Sequence, residues 1–435
     1  MKNNKNNFFQ IGIIIACIVV FVFALFVFAG KIKIGGSASS SKSAVTVVVW
    51  GVLPAEKIQP ILESNKTKTL QYIYRQVNPA DFRNNLLESI ANGASPDLLI
   101  YDTNTLYSIR DKIAVIPYTT YPEATFRQTY ADGTDILLNP KGAYGLPILI
   151  DPLVMYYNRD IFARAGFVNP ITTWDELYTV APFITKKNSN GTFNVSTIPF
   201  GLAENVPYGK NIFMTLLGQA GVQVVSSQND IFNANLTQST YGDSSAGLSM
   251  LNFYMQFSNP ASDYYSWNKL MPDAKTAFVQ NTLAIYPGYA SELFELRQRN
   301  PNLNFAPALL PQLKDSNKYF NNGNVYAVGV ALSSSQPTSA YEALYAITNP
   351  TLAIQFAQAM SLPPADRSLL ANKPETTYAP VFYRAALFTY PWLDPNSTET
   401  TNRFNSMIND VYTGRLTPTD ALSKLQREIN AILNP

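Results

Sequence analysis

The sequence predicts an α/β protein of two lobes, preceded by one membrane-spanning helix. Three observations carry that prediction. Strand-like and helix-like runs alternate from residue 44 onward. The 435 residues exceed what a single hydrophobic core organises. Residues Ile11 to Ala29 carry no charge. An apolar fraction of 46% against 14% charged residues places the chain among folded proteins rather than disordered ones.

The N-terminal run comes first. With Phe8, Phe9 and Gly30 it is long enough to cross a bilayer, which takes roughly 20 apolar residues. A cleaved secretory signal has an apolar core of only about 7–15 residues, although Val27-Phe28-Ala29 offers a cleavage site. Ile14-Ile15-Ala16-Cys17 has the look of a lipobox. The chain stays apolar from Ile18 to Ala29, however, where a lipidated cysteine should lead into a polar linker, so Cys17 reads as a cysteine buried in the membrane. Gly35 to Ser41 is a Gly/Ser-rich tether. Residues 1–43 are thus expected to anchor the protein through residues 8–30. Flanking lysines lie on both sides, and a large following domain is translocated largely regardless of charge, so the body is placed outside.

In the body, Val45 to Trp50 is a β-branched run bounded by Gly51 and predicts a buried strand. Glu56 to Asn65 predicts a helix, and Leu70 to Val77 a second strand. Asp81 to Ala91 places Phe82, Leu86, Leu87 and Ile90 at helical spacing, with Gly93 as the stop. Asp97 to Tyr101 predicts a third strand. This βαβαβ order predicts a parallel sheet with helices on its faces and ligands beyond the carboxyl ends of its strands. Further on, Thr173 and Glu176 have the spacing of a capping box, which makes Trp174 a structural staple. Gly145-Leu146-Pro147 opens an extended apolar run able to carry the chain between lobes.

Composition excludes several chemistries. With no histidine there is no His-based triad, general base or metal ligand. A single cysteine forms no intrachain disulfide and no zinc site. Five of the 32 basic residues precede Glu56, the first acid, leaving 27 basic against 30 acidic residues in the body. Such a body is a poor partner for nucleic acid. The nucleophile elbow, the phosphate loop and His-Glu-x-x-His are all missing. Asp132-Gly133-Thr134-Asp135 is too short for a calcium loop and reads as a turn. No cofactor or metal is expected.

A resemblance then gathers the pieces. Tyr144-Gly145-Leu146-Pro147, Tyr156 to Phe162, Ala165-Gly166-Phe167 and Thr173 to Leu177 follow one another as in the family 1 extracellular solute-binding proteins, which include the maltose-binding proteins. Arg159 stands where that family usually has Lys. Gly93 to Asp97, Ala277 to Tyr289, Ala340 to Pro363 and Gly414 to Leu433 are similar to further family segments, so the resemblance spans about residues 44–435. It implies a periplasmic-binding-protein-like fold with an interlobe cleft and a hinge. The lobes would comprise residues 44–149 plus 314–362, and residues 150–313 plus 363–435. It also implies a receptor that captures a small organic solute, a sugar or oligosaccharide, and delivers it to the permease subunits of an ABC importer.

Sugars offer an apolar C–H face and a hydroxyl rim, which Tyr and Trp match with a ring face and a polar tip. Aromatic residues are 13% of the chain, but most such rings are scaffold, so position decides. Trp50 and Tyr101 end the first and third strands. Analogy with the family adds Asp102, Asn104, Asp151, Tyr289, where the family often has Trp, and Trp392. Trp267, on a Tyr- and Asn-rich segment, completes the ligand-binding candidates. Two other outputs remain open. A tethered sensor or adhesin could use the same fold, and a glycosidase would need only a suitable carboxylate pair.

Overall fold

The computed structural model describes residues 44–228, 231–314, 316 and 318–434. The anchor expected at 8–30, the tether and Cys17 lie outside the described residues. Among the described residues no helix is long and apolar enough to cross a membrane. Contacts divide the chain into two units. In the smaller one the described residues are Ala44, Val45 and Thr67–Thr69, where the Val45 N–H donates to the Thr69 carbonyl at 2.8 Å. Residues 46–66 and 70–435 form the other.

The central sheet uses β1 (Val45–Gly51), β2 (Leu70–Gln76), β3 (Leu98–Asp102), β4 (Leu146–Asn158), β5 (Ile285–Tyr289), β6 (Phe305–Ala308) and β7 (Gly323–Ala331). The order is β5-β4-β7-β3-β1-β2, with β6 also on β4. The first three strands, and helices α1 (Ala55–Ser64) and α2 (Phe82–Ala91) between them, fall where the sequence pattern puts them. α2 buries Phe82 and Leu86 and ends before Gly93, whose φ of +66° is a left-handed conformation that favours glycine.

β1 and β3 are parallel, pairing Val49 with Leu98 and Gly51 with Ile100. The sheet as a whole is mixed, because β7 inserts antiparallel between β3 and β4. Local periodicity does not reveal that insertion, since β7 arrives more than 200 residues after β3.

β4 is fully buried along its 13 residues and changes partners midway. Its first half, Leu146 to Pro152, pairs with β7. Its second half pairs with β5 from Leu153 to Tyr157 and with β6 from Met155 to Asn158. The apolar run after Gly145 thus forms one strand that exchanges one set of partners for another. A further passage follows. Ile150 donates to Pro363 O at 2.9 Å and Ala365 to Ile148 O at 3.0 Å. Then Tyr390 donates to Asn321 O at 2.9 Å. Gly133 sits so close to this last segment that a Cβ there would lie 1.7 Å from the Thr389 carbonyl oxygen.

The capping box at Thr173 forms only in part. Glu176 accepts from the Thr173 N–H at 3.2 Å, the expected back-reach, but the Thr173 hydroxyl donates to the same carboxylate instead of accepting from the helix. The helix accordingly begins at Glu176. Trp174 is a structural staple, 1% exposed, with its indole N–H on Gln219 Oε1 at 2.7 Å.

Candidate ligand-binding site

A cavity of about 560 Å³ opens beyond the carboxyl ends of β2 and β3, where a sheet of this kind places its ligands. Its near wall begins at Asn78, whose Oδ1 accepts the Ala80 N–H at 3.0 Å and turns the chain out of β2. Arg83 and Asn84 follow. Arg83 is held by Asp111 Oδ1 at 3.0 Å and by the Ser108 carbonyl. Asp102 closes β3 and caps α3 (Thr103–Ile109), its Oδ1 accepting from the Thr105 N–H at 2.9 Å and Oγ1 at 2.6 Å. Burial raises the Asp102 pKa, and the Thr105 donors pull it back. Asn104 donates to Asn324 Oδ1 at 2.7 Å, tying α3 to β7.

The far wall is Asn396, Ser397 and Thr398, at the start of the helix Ser397–Tyr412. Asn396 caps it, accepting from the Glu399 N–H at 3.1 Å. Behind this turn lies a buried ion pair. Lys210 Nζ is 2.7 Å from Asp394 Oδ2, 3.0 Å from Thr400 Oγ1 and 3.1 Å from the Ser397 carbonyl oxygen. Lys210 is 5% exposed and Asp394 not at all, and neighbouring polar groups satisfy the ammonium. Trp392 packs beside it, with Nζ 5.7 Å from the ring centroid. The Trp392 indole N–H is buried without a hydrogen-bond partner.

A third group collects around the midpoint of β4. Asp151 is 2% exposed and pairs in register with Asn324. Its Oδ1 accepts the Ser291 N–H at 3.0 Å. Burial, opposed by Ser291 and reinforced by Glu292, pushes its carboxyl up to about 7. Glu292, itself buried, accepts from Tyr208 at 2.9 Å, Tyr286 at 3.0 Å and the Tyr289 N–H at 3.1 Å, with Lys275 Nζ at 2.5 Å. The Tyr289 hydroxyl is pushed well up by burial and by Asp151, Asp102, Glu292 and Asp394. Tyr326, half-buried on β7, is raised by burial and by Asp151, Asp102 and Tyr289. Strand register places these groups near one another, with Tyr326 opposite Asp102, Asn324 opposite Asp151, and Tyr289 opposite Leu153, two residues on from Asp151.

The family profile described as bacterial extracellular solute-binding protein matches residues 63–381. The chain belongs to this family. Similar solved structures share the two-lobed α/β fold. One is a cyclic α-maltosyl-1,6-maltose binding protein of Arthrobacter globiformis, at 19% identity, covering 90% of this chain and 99% of that one, with a TM-score of 0.72. Another is a sugar-binding protein of Xanthomonas citri, at 17% identity, 89% and 97% coverage and a TM-score of 0.72. A third is an ABC transporter solute-binding protein of Thermotoga lettingae bound with α-D-tagatose, at 18% identity, 90% and 100% coverage and a TM-score of 0.68. Binding proteins of Brucella abortus and Brucella suis are 34% identical over 94 residues, and the match takes in 21% of this chain and 23% of theirs. The family and these similar structures are binding proteins, not enzymes.

Within this family frame the eight sequence candidates separate. Asp102 and Asn104 wall the cavity. Asp151 and Tyr289 stand together at the midpoint of β4, and Trp392 lies behind the far wall. Three others are packed into the body. Trp50 is 4% exposed, with the Arg75 guanidinium 4.6 Å from its ring centroid. Tyr101 is fully buried and donates to the Tyr144 carbonyl at 3.0 Å. Trp267 is fully buried and donates to Asn205 Oδ1 at 2.8 Å, so the structure makes it a core residue rather than a wall of the cavity. Sequence reasoning missed Arg83, Asn84 and the turn Asn396–Thr398. The last carried a readable signal, an Asn three residues before Glu399 at a helix start.

Proposed function

We propose that this protein is an extracytoplasmic receptor for a small polar organic solute, a sugar or oligosaccharide, which it delivers to the permease subunits of an ABC importer. The observation that carries this reading is the cavity itself. Amide and hydroxyl side chains dominate its walls, with one guanidinium and one carboxylate, a set suited to a dense rim of hydroxyl groups. The sugars named for similar structures support the same class. Asp102, Asn104, Asp151, Tyr289 and Trp392 are the side chains we assign to the solute.

The cleft would lie between lobes of residues 44–149 plus 314–362 and residues 150–313 plus 363–435, with β4 and β7 as the hinge. Solute contacts made only when the lobes meet shift the equilibrium toward the closed form, the shape an importer can recognise. The uncharged run 11–29 would hold the receptor at the outer face of the membrane. Resistance of the full chain to carbonate extraction tests the anchor, and recovery of a soluble mature form would overturn it.

The deciding experiment is a thermal-shift screen of the full chain against mono- and oligosaccharides, polyols, amino acids and short peptides. A ligand of the native state raises apparent stability by mass action. A saturable shift with one carbohydrate class, without turnover, is expected. A shift with peptides or amino acids and with no sugar would overturn the carbohydrate reading.

A further inference from the structure

A second set of contacts joins the two sides of the cavity without lining it. α3 presents Thr105 and Ser108 to the cavity, while Tyr107 reaches across to the other side of the molecule. Its hydroxyl donates to the Leu433 carbonyl at 3.0 Å. Its ring meets Phe232 edge-on, with centroids 5.7 Å apart at 73°. The Arg110 guanidinium lies 3.5 Å from the Tyr107 centroid and 5.6 Å from that of Phe232, and also bonds the Tyr107 carbonyl.

Phe232 is firmly part of the far side. It lies on the strand Ile231–Ala234, which is tied to the terminal helix Pro418–Leu433 by Ala234 N–H on Asn430 Oδ1 at 2.8 Å. Asn434 Nδ2 also donates to the Phe232 carbonyl at 3.0 Å. α3 belongs equally firmly to the near side, through Asn104 on β7.

We infer that Tyr107, Arg110, Phe232 and the Leu433 carbonyl form a latch that holds the cleft closed and sets how long a solute stays. The inference rests on the receptor reading for its purpose, but the latch itself is a contact between two parts of this chain. A cation over an aromatic face, an edge-to-face ring pair and a phenol-to-carbonyl hydrogen bond each stabilise the state in which they form. Separation of the two sides would break all of them, so they would weight the closed state with or without solute. Their loss leaves every solute contact in place. Dissociation should therefore quicken while the choice of solute is unchanged.

The test is single-molecule energy transfer on the full chain, with Cys17→Ser and dyes at Lys57→Cys and Ser244→Cys, one exposed position on each side. In the absence of solute, Tyr107→Ala and Phe232→Ala should each lower the closed-to-open ratio about fivefold, by the usual strength of such ring and cation contacts. Tyr107→Phe, which keeps the ring and loses only the bond to Leu433, should lower it about twofold to threefold. Circular dichroism checks folding. If either alanine variant fails to fold, Tyr107→Phe and Arg110→Ala decide. Unchanged ratios in the folded variants would overturn the latch. The same instrument separates the two readings. Sugar-driven closure of the wild type with silent variants sinks the latch alone. Shifted variants with a wild type that answers no sugar sink the sugar-receptor reading and leave the latch standing.

Discussion

The two walls of the cavity are built by different means. The near wall, from Asn78 to Ser108, is positioned mostly by what lies next to it in the chain, a strand end, then a cap, then a short helix, with Asn104 on Asn324 as its long-range tie. Asp102 accepts from Thr105, three residues on, and Asn78 from Ala80, two residues on. The far wall is positioned from a distance. The turn at Asn396–Thr398 is held by Lys210, 184 residues before its partner Asp394. One wall therefore relies mainly on short-range hydrogen bonds between uncharged donors and a capping carboxylate, and the other on a charge pair taken almost fully out of water. Breaking them should cost very different amounts.

The largest effect is expected at the far wall. Lys210→Met strands a buried carboxylate and should lower stability by about 3–5 kcal/mol in urea unfolding. Adding Asp394→Leu should restore most of it, because a well-packed apolar pair often replaces a buried ion pair at little cost. A Lys210→Met loss of under about 1 kcal/mol would show that the pair is not what holds this wall.

Next comes Asp151. Its carboxyl is raised to about 7, so between the usual carboxylate range and neutrality the folded state holds a proton that the unfolded state releases. The sign follows. This group's contribution is full at low pH, falls by up to about 1.4 kcal/mol per pH unit on the way to pH 7, and is flat above. Asp151→Asn should remove that slope, read as the difference between wild-type and variant stability from pH 5 to 8. An unchanged slope would mean that Asp151 is ionised throughout.

The near wall should respond less. Asp102→Ala removes a cap and should cost about 1 kcal/mol. If it costs as much as Lys210→Met, the contrast between the walls fails. The smallest effect is expected at Arg403→Ala, which breaks an exposed pair with Glu399 on the helix behind the far wall, at 3.2 Å, and should cost about 0.5 kcal/mol or less.

This contrast also marks what could be read from the sequence. β1, β2, β3 and the helices between them were legible because each is announced by periodicity and by the residues at its ends. The places of Asp102 and Asn104 on the cavity wall could be read too, since both follow directly from the end of β3. β7 between β3 and β4 was not legible, since nothing local says which strands a late segment will join. Lys210 and Asp394 gave no signal either, because a buried pair is defined by a contact 184 residues apart. Trp267 shows the opposite error. An indole on a polar segment suggested a ligand platform, but Asn205 supplies the partner its N–H needs inside the core. At Thr173 the spacing was right and the geometry differed, as one carboxylate took both the N–H and the hydroxyl.

The place of β7 also governs how this chain can be born. β3 and the first half of β4 flank β7 on its two sides, yet β7 ends only at residue 331 of 435. A ribosome makes both neighbours long before the strand that joins them, and all of residues 159–322 must emerge in between. Throughout that interval two apolar strand edges stand open to whatever else is nearby. Chains truncated before residue 323 should therefore stay bound to a holding chaperone from which the full chain is released.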